Sequence, residues 1–301
     1  MTGNEKNTMA SFLDLTLDYL SGGLRRPYGE YAFTDDTPEL LTEPVLLSPE
    51  PVVLLTGPAN KNEADTVSSE DTASSEDRAK SLEKLACEIA SCTRCNLCNT
   101  RTNTVPGEGI ASPLVMVIGE GPGEEEDMSG RPFVGRAGQL LDRMLDSMGK
   151  IGLSRNTNCY IANTLKCRPP GNRNPQQDEI SACVPFLVNQ IKILRPKIIL
   201  AAGNTAAKTL LDSTEGITRL RGNFTFFRGT LLMDGDFNIP LLPTFHPSAL
   251  LRDETLKVPV WEDMKSLRAK LCELDEEYAS QMRQFASQMG QDASQVTDNQ
   301  I

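Results

Sequence analysis

The sequence lacks the long apolar run that a membrane-spanning helix requires. No segment of the 301 residues approaches the roughly 18 consecutive apolar residues that cross a bilayer. The first residues are polar and contain no basic stretch followed by a long apolar one, so we expect no secretory signal. These absences predict a cytoplasmic protein that does not contact a membrane.

Histidine is almost absent, because His246 is the only one in the chain. Cysteine is not scarce, and eight cysteines in a cytosolic chain are metal ligands or core residues more often than disulfides. Cys92 and Cys95 form a C-x2-C pair, and Cys167 and Cys183 follow far downstream. Four thiolates brought together suit zinc or an iron–sulfur cluster, and spacing alone does not decide between them. The other cysteines are Cys98, a rival ligand, and Cys87, Cys159 and Cys272, which we expect in the core.

The net charge of −11 is distributed unevenly along the chain. Residues 1–77 carry −11, residues 78–272 carry +5 and residues 273–301 carry −5. A mildly basic core between acidic ends suits a polyanionic partner, although +5 is also ordinary for a domain of this size. Charge alone therefore does not decide whether the partner is a nucleic acid.

Residues 1–77 form an acidic extension with little to bury, which we expect to be largely disordered. Within it, residues 9–20 carry one apolar helical face; a local helix in a loose tail is favoured over a docking helix. We assign residues 78–275 to the folded domain. Residues 276–301 are polar and rich in Gln and Ser, and we expect a C-terminal tail there.

Apolar runs and helical periodicities alternate through the folded domain. This alternation predicts an α/β fold, a three-layer α/β/α sandwich on a central four-stranded parallel sheet. The predicted strands are Leu114–Ile118, Tyr160–Leu165, Lys197–Ala202 and Pro240–Phe245. The predicted helices are Arg78–Ala90, Gln139–Met148, Gln176–Leu194, Gly203–Leu211 and Lys257–Leu274, with a small hairpin over 223–239.

Two short stretches follow the ends of predicted strands. GEGPG at 119–123 follows the first strand, and FHPS at 245–248 follows the fourth. Ligands bind at the carboxyl ends of the strands in an open parallel sheet, so both stretches should face one crevice. The first stretch brings backbone amides and carboxylates, and the second brings His246. We interpret this crevice as an active site.

Four segments resemble the family 4 uracil-DNA glycosylases, the iron–sulfur-containing bacterial and archaeal type. They are CTRCNLCNTRTNTVPGEG at 92–109, GEGPGEEEDMSGRPFVGRAGQLL at 119–141, NTLKCRPPGNRN at 163–174 and PTFHPSALLR at 243–252. The segments occur in the family's order and cover residues 92–252. The resemblance implies the uracil-DNA glycosylase fold, with the catalytic domain over 78–275, and says nothing of residues 1–77 or the final tail.

The resemblance also implies a cofactor and its ligands. A [4Fe–4S] cluster would be held by Cys92, Cys95, Cys167 and Cys183, and would pin the loop after the second strand to the N-terminal segment. Cys98 falls where the family needs no ligand. Zinc bound by the same thiols is the alternative.

The implied reaction is hydrolysis of the N-glycosidic bond of deoxyuridine in single- or double-stranded DNA, as in base excision repair. An enzyme that removes a base must first take it out of the stack. Phe133 is placed to stack on the flipped base. The alternative role for Phe133 is that of a buried core residue. The Asn163 amide matches O4 and N3–H of uracil and mismatches cytosine; its alternative is a turn former.

His246 is expected to donate to uracil O2, where negative charge develops as the base departs. Glu120 stands where other glycosylase families have Gln, and Gly121 where some have a water-activating Asp. We therefore expect Glu120 to hold water or steady the sugar cation. Gly121 and Gly123 should let the backbone approach the base, with Glu126 and Asp127 behind Glu120. The acidic run 124–127 is alternatively a solvated helix start.

Residues 248–252 are predicted to be the wedge that fills the vacated stack. Leu250 and Leu251 supply apolar side chains and Arg252 a phosphate contact, whereas the alternative places both leucines in a helix and in the core. Further phosphate contacts are expected from Arg136, Lys166, Arg168 and Arg173.

We expect a monofunctional enzyme, because no lysine in these motifs is placed as a Schiff-base nucleophile. We also expect the enzyme to be monomeric. The rival from another class is a non-catalytic DNA-binding or replication accessory protein on the same fold. The joint presence of Phe133, Asn163 and His246 argues against it. A glycosylase that traps its product covalently would need a further nucleophile, and His246 is the only histidine. The acidic extension is a candidate contact for another protein.

Overall fold

A six-stranded sheet forms the centre of the computed structural model, which describes residues 74–147, 150–227 and 238–298. The strands are β1 Glu108–Gly109, β2 Val115–Gly119, β3 Cys159–Asn163, β4 Ile198–Ala202, β5 Thr225–Phe227 and β6 Ile239–Thr244. Their order across the sheet is β1-β3-β2-β4-β6-β5.

The four central strands run parallel, as predicted, but the sheet is not four-stranded. β2 pairs in parallel with β3 and β4, and β4 pairs in parallel with β6. β1 and β5 add antiparallel edges to β3 and β6. β1 has two residues, too few for an alternating pattern. β5 lies in the predicted 223–239 hairpin, of which residues 228–237 lie outside the described part of the chain.

Helices cover both faces of the sheet. The α-helices are α1 Ser75–Ala90, α2 Glu124–Ser129, α3 Arg136–Asp146, α4 Gln177–Leu194, α5 Asn204–Leu211, α6 Ile217–Leu220, α7 Pro247–Leu250, α8 Lys257–Leu274 and α9 Glu276–Asp298. Apolar residues of α1, α4 and α5 pack with Met116, Ile118 and Ile199 on one face. On the other face α8 contacts β6 and α3. Every residue of β2, β3 and β4 is buried, as expected for strands covered on both sides.

The chain does not leave the domain at Glu276, where we expected a polar tail. α9 begins there, and Tyr278, Ala279 and Met282 of its first turns are buried. The Tyr278 hydroxyl donates to the carbonyl of Ile151. Tyr278, Met282 and Phe285 stand at helical spacing in the sequence, a signal for a helix that the Gln- and Ser-rich composition outweighed in our prediction.

The N-terminal predictions lie mostly outside the described residues, including the segment 9–20. α1 begins at Ser75, before the predicted Arg78, because the Ser74 hydroxyl accepts the N–H of Asp77 and caps the helix. No helix in the described ranges is long and apolar enough to cross a membrane.

Candidate active site

The carboxyl ends of β2, β3 and β6 open on one cleft of about 720 Å³, together with the turn after β4. This volume is within the usual range for small-molecule sites. The cleft brings together most of the predicted site residues, which come from five separate segments. Those that line it are Glu120, Gly121, Gly123, Glu126, Phe133, Arg136, Asn163, Arg173, His246 and Arg252.

The Asn163 side chain ends β3 inside the cleft. It is 2% exposed, and its Oδ1 atom has no hydrogen-bond partner among the described residues. An unsatisfied buried polar atom costs about 1–3 kcal/mol, so this amide is suited to a ligand. A Cβ atom on Gly119, its register partner on β2, would lie 2.4 Å from Asn163 Oδ1 and 2.5 Å from Phe133 Cζ. Glycine at this position lets both side chains approach the strand end.

Phe133 is held over the cleft in an unusual backbone conformation. It is 5% exposed and has φ +52°, in the left-handed region that large residues rarely adopt. The Arg155 guanidinium donates to the carbonyls of Pro132 at 2.9 Å and Phe133 at 3.0 Å. The Phe133 carbonyl also lies against Gly138 of α3, where a Cβ would be only 1.9 Å away. Strain held by surrounding contacts is typical of functional sites.

His246 faces Phe133, with 5.5 Å between the ring centroids. Its Nδ1 atom accepts the Ser248 N–H at 3.2 Å, so the neutral ring carries its proton on Nε2 and can donate from there. Burial, together with the charge of Arg252, lowers the pKa of His246 to about 4, against an opposing effect of Glu126. His246 is therefore a neutral hydrogen-bond donor at physiological pH.

Glu120 is fixed at both its backbone and its side chain. Its carbonyl accepts the Leu165 N–H at 3.0 Å, and its Oε2 atom accepts the hydroxyl of Thr205. The Thr164 hydroxyl donates to the Gly119 carbonyl at 2.9 Å, one residue earlier. The sequence interpretation missed Thr205; the available signal was a hydroxyl at the start of the helix that follows β4.

The two other predicted acidic residues have structural contacts. Glu126 Oε1 accepts the N–H groups of Val134 and Gly135, both at 2.9 Å, and Oε2 accepts the Gly123 N–H at 3.0 Å. Glu126 thus clamps the loop after β2 to the loop that carries Phe133. Asp127 does not line the cleft.

Asp127 is 3% exposed and accepts the backbone N–H of Thr102 at 3.0 Å. Its predicted place behind Glu120 is therefore wrong, because the first turn of α2 directs this carboxylate to the segment after the cysteines. The N–H of Asn103 also donates to it, at 3.3 Å.

Several predicted DNA contacts are corrected by burial. Leu250 is 0% exposed and Lys166 is 1% exposed, so neither side chain can touch DNA without leaving the core. The short helix α7 turns Leu250 inward, against α3, whereas Leu251 is partly buried and Arg252 is exposed. The alternative weighed for Leu250, a core residue, is the one observed.

The arginines that we predicted to contact phosphate donate hydrogen bonds to nearby protein acceptors. Arg173 donates to both carboxylate oxygens of Glu179, at 2.9 and 2.6 Å. Arg168 does not line the cleft; it donates to Asn172 Oδ1 at 2.7 Å and lies 3.4 Å from Glu124. Of the two, Arg173 is at the cleft wall.

The four predicted cysteine ligands line one pocket beside α1 and α4, together with Cys98. Arg101 Nη1 donates to Cys167 Sγ at 3.3 Å, and the Lys166 N–H donates to Cys183 Sγ at 3.2 Å. Burial raises the pKa of the Cys183 thiol to about 11. In the part of the chain that is described, no three His, Cys, Asp or Glu side chains converge on a single metal ion. Of the remaining cysteines, Cys159 is buried as expected, whereas Cys87 is exposed.

The fold and the cleft define an α/β protein with a ligand site at the carboxyl edge of a parallel sheet. Comparison with known proteins is more specific. Residues 106–265 match the model of the uracil DNA glycosylase superfamily. The chain is 42% identical over 192 residues to the type-4 uracil-DNA glycosylase of Sulfurisphaera tokodaii, covering 62% of this chain and 84% of that one.

Two further relatives place the chain within the superfamily. It is 42% identical over 191 residues to the type-4 uracil-DNA glycosylase of Thermotoga maritima, covering 62% of this chain and 93% of that one. It is 29% identical over 157 residues to the type-5 uracil-DNA glycosylase of Pyrobaculum aerophilum, covering 48% and 66%. The chain belongs to the uracil DNA glycosylase superfamily and, within it, to the type-4 group that its motifs resemble.

Proposed function

We propose that this protein is a uracil-DNA glycosylase that hydrolyses the N-glycosidic bond of deoxyuridine in DNA and leaves an abasic site. The observation that carries the proposal is the buried amide of Asn163, whose Oδ1 atom has no partner in the described structure. This amide shares a cleft with Phe133 and His246. An aromatic face, an amide and a fixed donor are what recognition of a flipped uracil requires.

Base recognition depends on Phe133 and Asn163. The flipped pyrimidine stacks on the Phe133 ring, which Arg155 and Gly138 hold in place. The Asn163 amide donates to uracil O4 and accepts from N3–H. Cytosine presents a donor and an acceptor in the opposite order, and would leave the buried amide unpaired.

Bond cleavage depends on His246 and Glu120. When the glycosidic bond breaks, its electron pair leaves with uracil, and His246 Nε2–H stabilises the charge that develops on O2. Glu120, held by Thr205, orients the water that adds to the sugar carbon and steadies the cationic sugar. The cleft lining contains no lysine among the described residues, and a monofunctional enzyme stays a prediction.

We also propose that Cys92, Cys95, Cys167 and Cys183 hold a [4Fe–4S] cluster. A single zinc would draw four sulfurs to within about 4 Å of one another, whereas in a cluster each sulfur binds a different iron. Four thiols around one pocket fit a set of cluster ligands, and the resemblance to the iron–sulfur-containing type-4 group favours the cluster over zinc. Its chemistry here is structural, a cross-link between the segment after α1, the loop after β3 and α4.

DNA outside the cleft would be held by the exposed arginines at its mouth. Arg136 and Arg252 line the cleft and are suited to phosphates, and Leu251 remains the candidate wedge. The monomeric state, the cytoplasmic location, the N-terminal domain boundary and a protein contact made by residues 1–77 stay predictions.

The test is incubation of purified protein with end-labelled oligonucleotides that carry one uracil, or thymine at the same position. Free uracil in the supernatant, and alkali-labile cutting only at the uracil position, would support the proposal. Iron and sulfide analysis on the same sample tests the cluster. Iron-loaded protein that binds the oligonucleotide without cutting it would favour the DNA-binding rival.

A further inference from the structure

Lys166 is a fully buried lysine between the cysteine pocket and the cleft. It is 1% exposed and lines the cysteine pocket, next in sequence to the proposed ligand Cys167. Sequence reasoning expected a phosphate contact, which its burial rules out. A buried ammonium group is costly unless it is hydrogen-bonded and its charge is balanced, so its position requires an explanation.

The hydrogen bonds of Lys166 point in two directions. Its backbone N–H donates to Cys183 Sγ at 3.2 Å. Its Nζ atom donates to the backbone carbonyl of Asn163 at 2.8 Å and to Gln190 Oε1 at 2.6 Å. One residue therefore contacts both a proposed cluster ligand and the backbone of the proposed base-recognition residue.

The charge of Lys166 has no carboxylate partner within the described residues. Both acceptors of its ammonium group are neutral, the Asn163 carbonyl and the Gln190 amide. The other buried lysine, Lys257, instead pairs with Glu254 at 2.8 Å. The cysteine sulfurs, which would be thiolates in a cluster, line the same pocket as Lys166 and would place negative charge beside it.

The Asn163 carbonyl belongs to the last residue of β3, where the register with β2 also ends. Lys166, three residues later, folds back and donates to this carbonyl. Gln190 in turn donates to the Pro106 carbonyl at 2.7 Å, which fixes the other acceptor of the ammonium group.

We propose that Lys166 is a positioning residue that balances the charge of the cysteine-bound cluster and, through the same side chain, sets the position of Asn163 in the cleft. This inference rests on the proposed cluster and the proposed uracil site. It adds a coupling between them, so that a change in the charge of the cluster alters the position of the Asn163 amide. Outer partners of metal ligands commonly change affinity or activity by about 10–100-fold when removed.

The test compares Lys166→Met with Lys257→Met in iron-loaded protein. The readouts are the reduction potential of the cluster and single-turnover uracil excision. Removing a nearby cation disfavours the added electron, so Lys166→Met should shift the potential to a more negative value and slow excision about tenfold. Lys257→Met should change neither, and Lys166→Arg should restore the potential because it keeps the charge.

A second measurement needs no variant and decides the matter if Lys166→Met does not fold. Free uracil added to the wild-type holoprotein should shift the cluster potential, because coupling between two sites is reciprocal. A folded Lys166→Met with the wild-type potential and rate would overturn the inference, as would a wild-type potential that uracil leaves unchanged. Wild-type protein without iron or without excision would instead contradict the function proposed above.

Discussion

At the scale of single residues, the surroundings decide what each side chain can do. His246 is an ordinary histidine in the sequence, but burial and the Ser248 N–H leave it neutral with its donor on Nε2. Asn163 is an ordinary strand-end amide in the sequence. In the structure it lies opposite a glycine of β2, and its Oδ1 atom has no hydrogen-bond partner among the described residues. Their residue types and order were visible in the sequence; burial and unsatisfied atoms were not.

The pH dependence of excision follows from the state of His246. Its pKa is lowered from 6.5 to about 4, so the functional neutral form persists throughout the range above about pH 5. As the pH falls toward 4 the ring gains a proton, and the acidic limb of the rate should appear there. Removing the Arg252 charge should move that limb upward.

Single-turnover rates of wild type and Arg252→Gln, measured from pH 4 to 9, test this prediction. Because we propose that Arg252 contacts DNA, we also expect Arg252→Gln to weaken DNA binding. The comparison therefore uses saturating protein and the position of the limb rather than the absolute rate. If the acidic limb of the wild-type rate were centred near pH 6.5, the His246 ring would titrate normally, which would contradict its assignment as a neutral donor.

Gly119→Ala should strongly reduce excision without unfolding the protein. The new methyl group would lie within 2.5 Å of Asn163 Oδ1 and Phe133 Cζ, so one of these side chains must move. Misplacement of a substrate-positioning group by about 1 Å can cost about 100-fold in rate. Gly216→Ala is the matched control, since nothing lies within 4 Å of that position. Full activity in Gly119→Ala would show that the two side chains need not be held there.

At the scale of elements, two loops and one clamp shape the cleft. The loop after β2 and the loop before α3 are joined by Glu126, whose carboxylate accepts three backbone N–H groups. Periodicity cannot predict such a clamp, because it depends on which loops meet in space. Sequence analysis placed Glu126 behind Glu120 in the substrate site; Glu126 lines the cleft, and its role toward the substrate stays a prediction.

Glu126→Gln tests the clamp. A neutral amide cannot accept on both ends, so at least one of the two loops should loosen and Phe133 should be held less firmly. We expect excision to fall about 10–100-fold, with a smaller change in DNA binding. Glu88→Gln, at an exposed position on α1, is the control for loss of charge. Equal excision rates for the two variants would show that excision does not depend on the clamp.

The predicted elements failed where the pattern was short or weak. The four central strands and most helices carried clear apolar runs and were found within a few residues of their predicted bounds. β1 has two residues, too few for a detectable period. α9 has apolar residues at helical spacing, Tyr278, Met282 and Phe285, but its polar composition led us to expect a tail. Edge strands and docked helices depend on contacts that local sequence does not contain.

At the scale of the whole molecule, α9 closes the domain. Asp275 accepts the Tyr278 N–H at 2.7 Å and the Lys197 ammonium at 2.6 Å, and Tyr278 is almost completely buried. These contacts join the helix to β4 and to the segment after α3, far from the cleft. The helix should therefore contribute to stability rather than to catalysis.

Tyr278→Ala should lower the free energy of unfolding by about 3–5 kcal/mol, as for a large aromatic side chain lost from a core. Tyr278→Phe, which loses only the hydrogen bond to Ile151, should cost about 1 kcal/mol. Thermal melts and single-turnover excision at 25 °C separate the effects. Unchanged melting of Tyr278→Ala would show that α9 does not dock as described, and a slower rate in folded protein would tie the helix to the site.

The most direct test of the central claim is the single-turnover excision rate of wild type, Asn163→Ala and His246→Ala on a uracil oligonucleotide. Asn156→Ala, at an exposed position, serves as control. Our account predicts excision of uracil and not of cytosine or thymine by wild type and the control, with losses of about 100-fold or more in the two cleft variants. Wild-type rates in both cleft variants would contradict the assignment of this cleft as the uracil site.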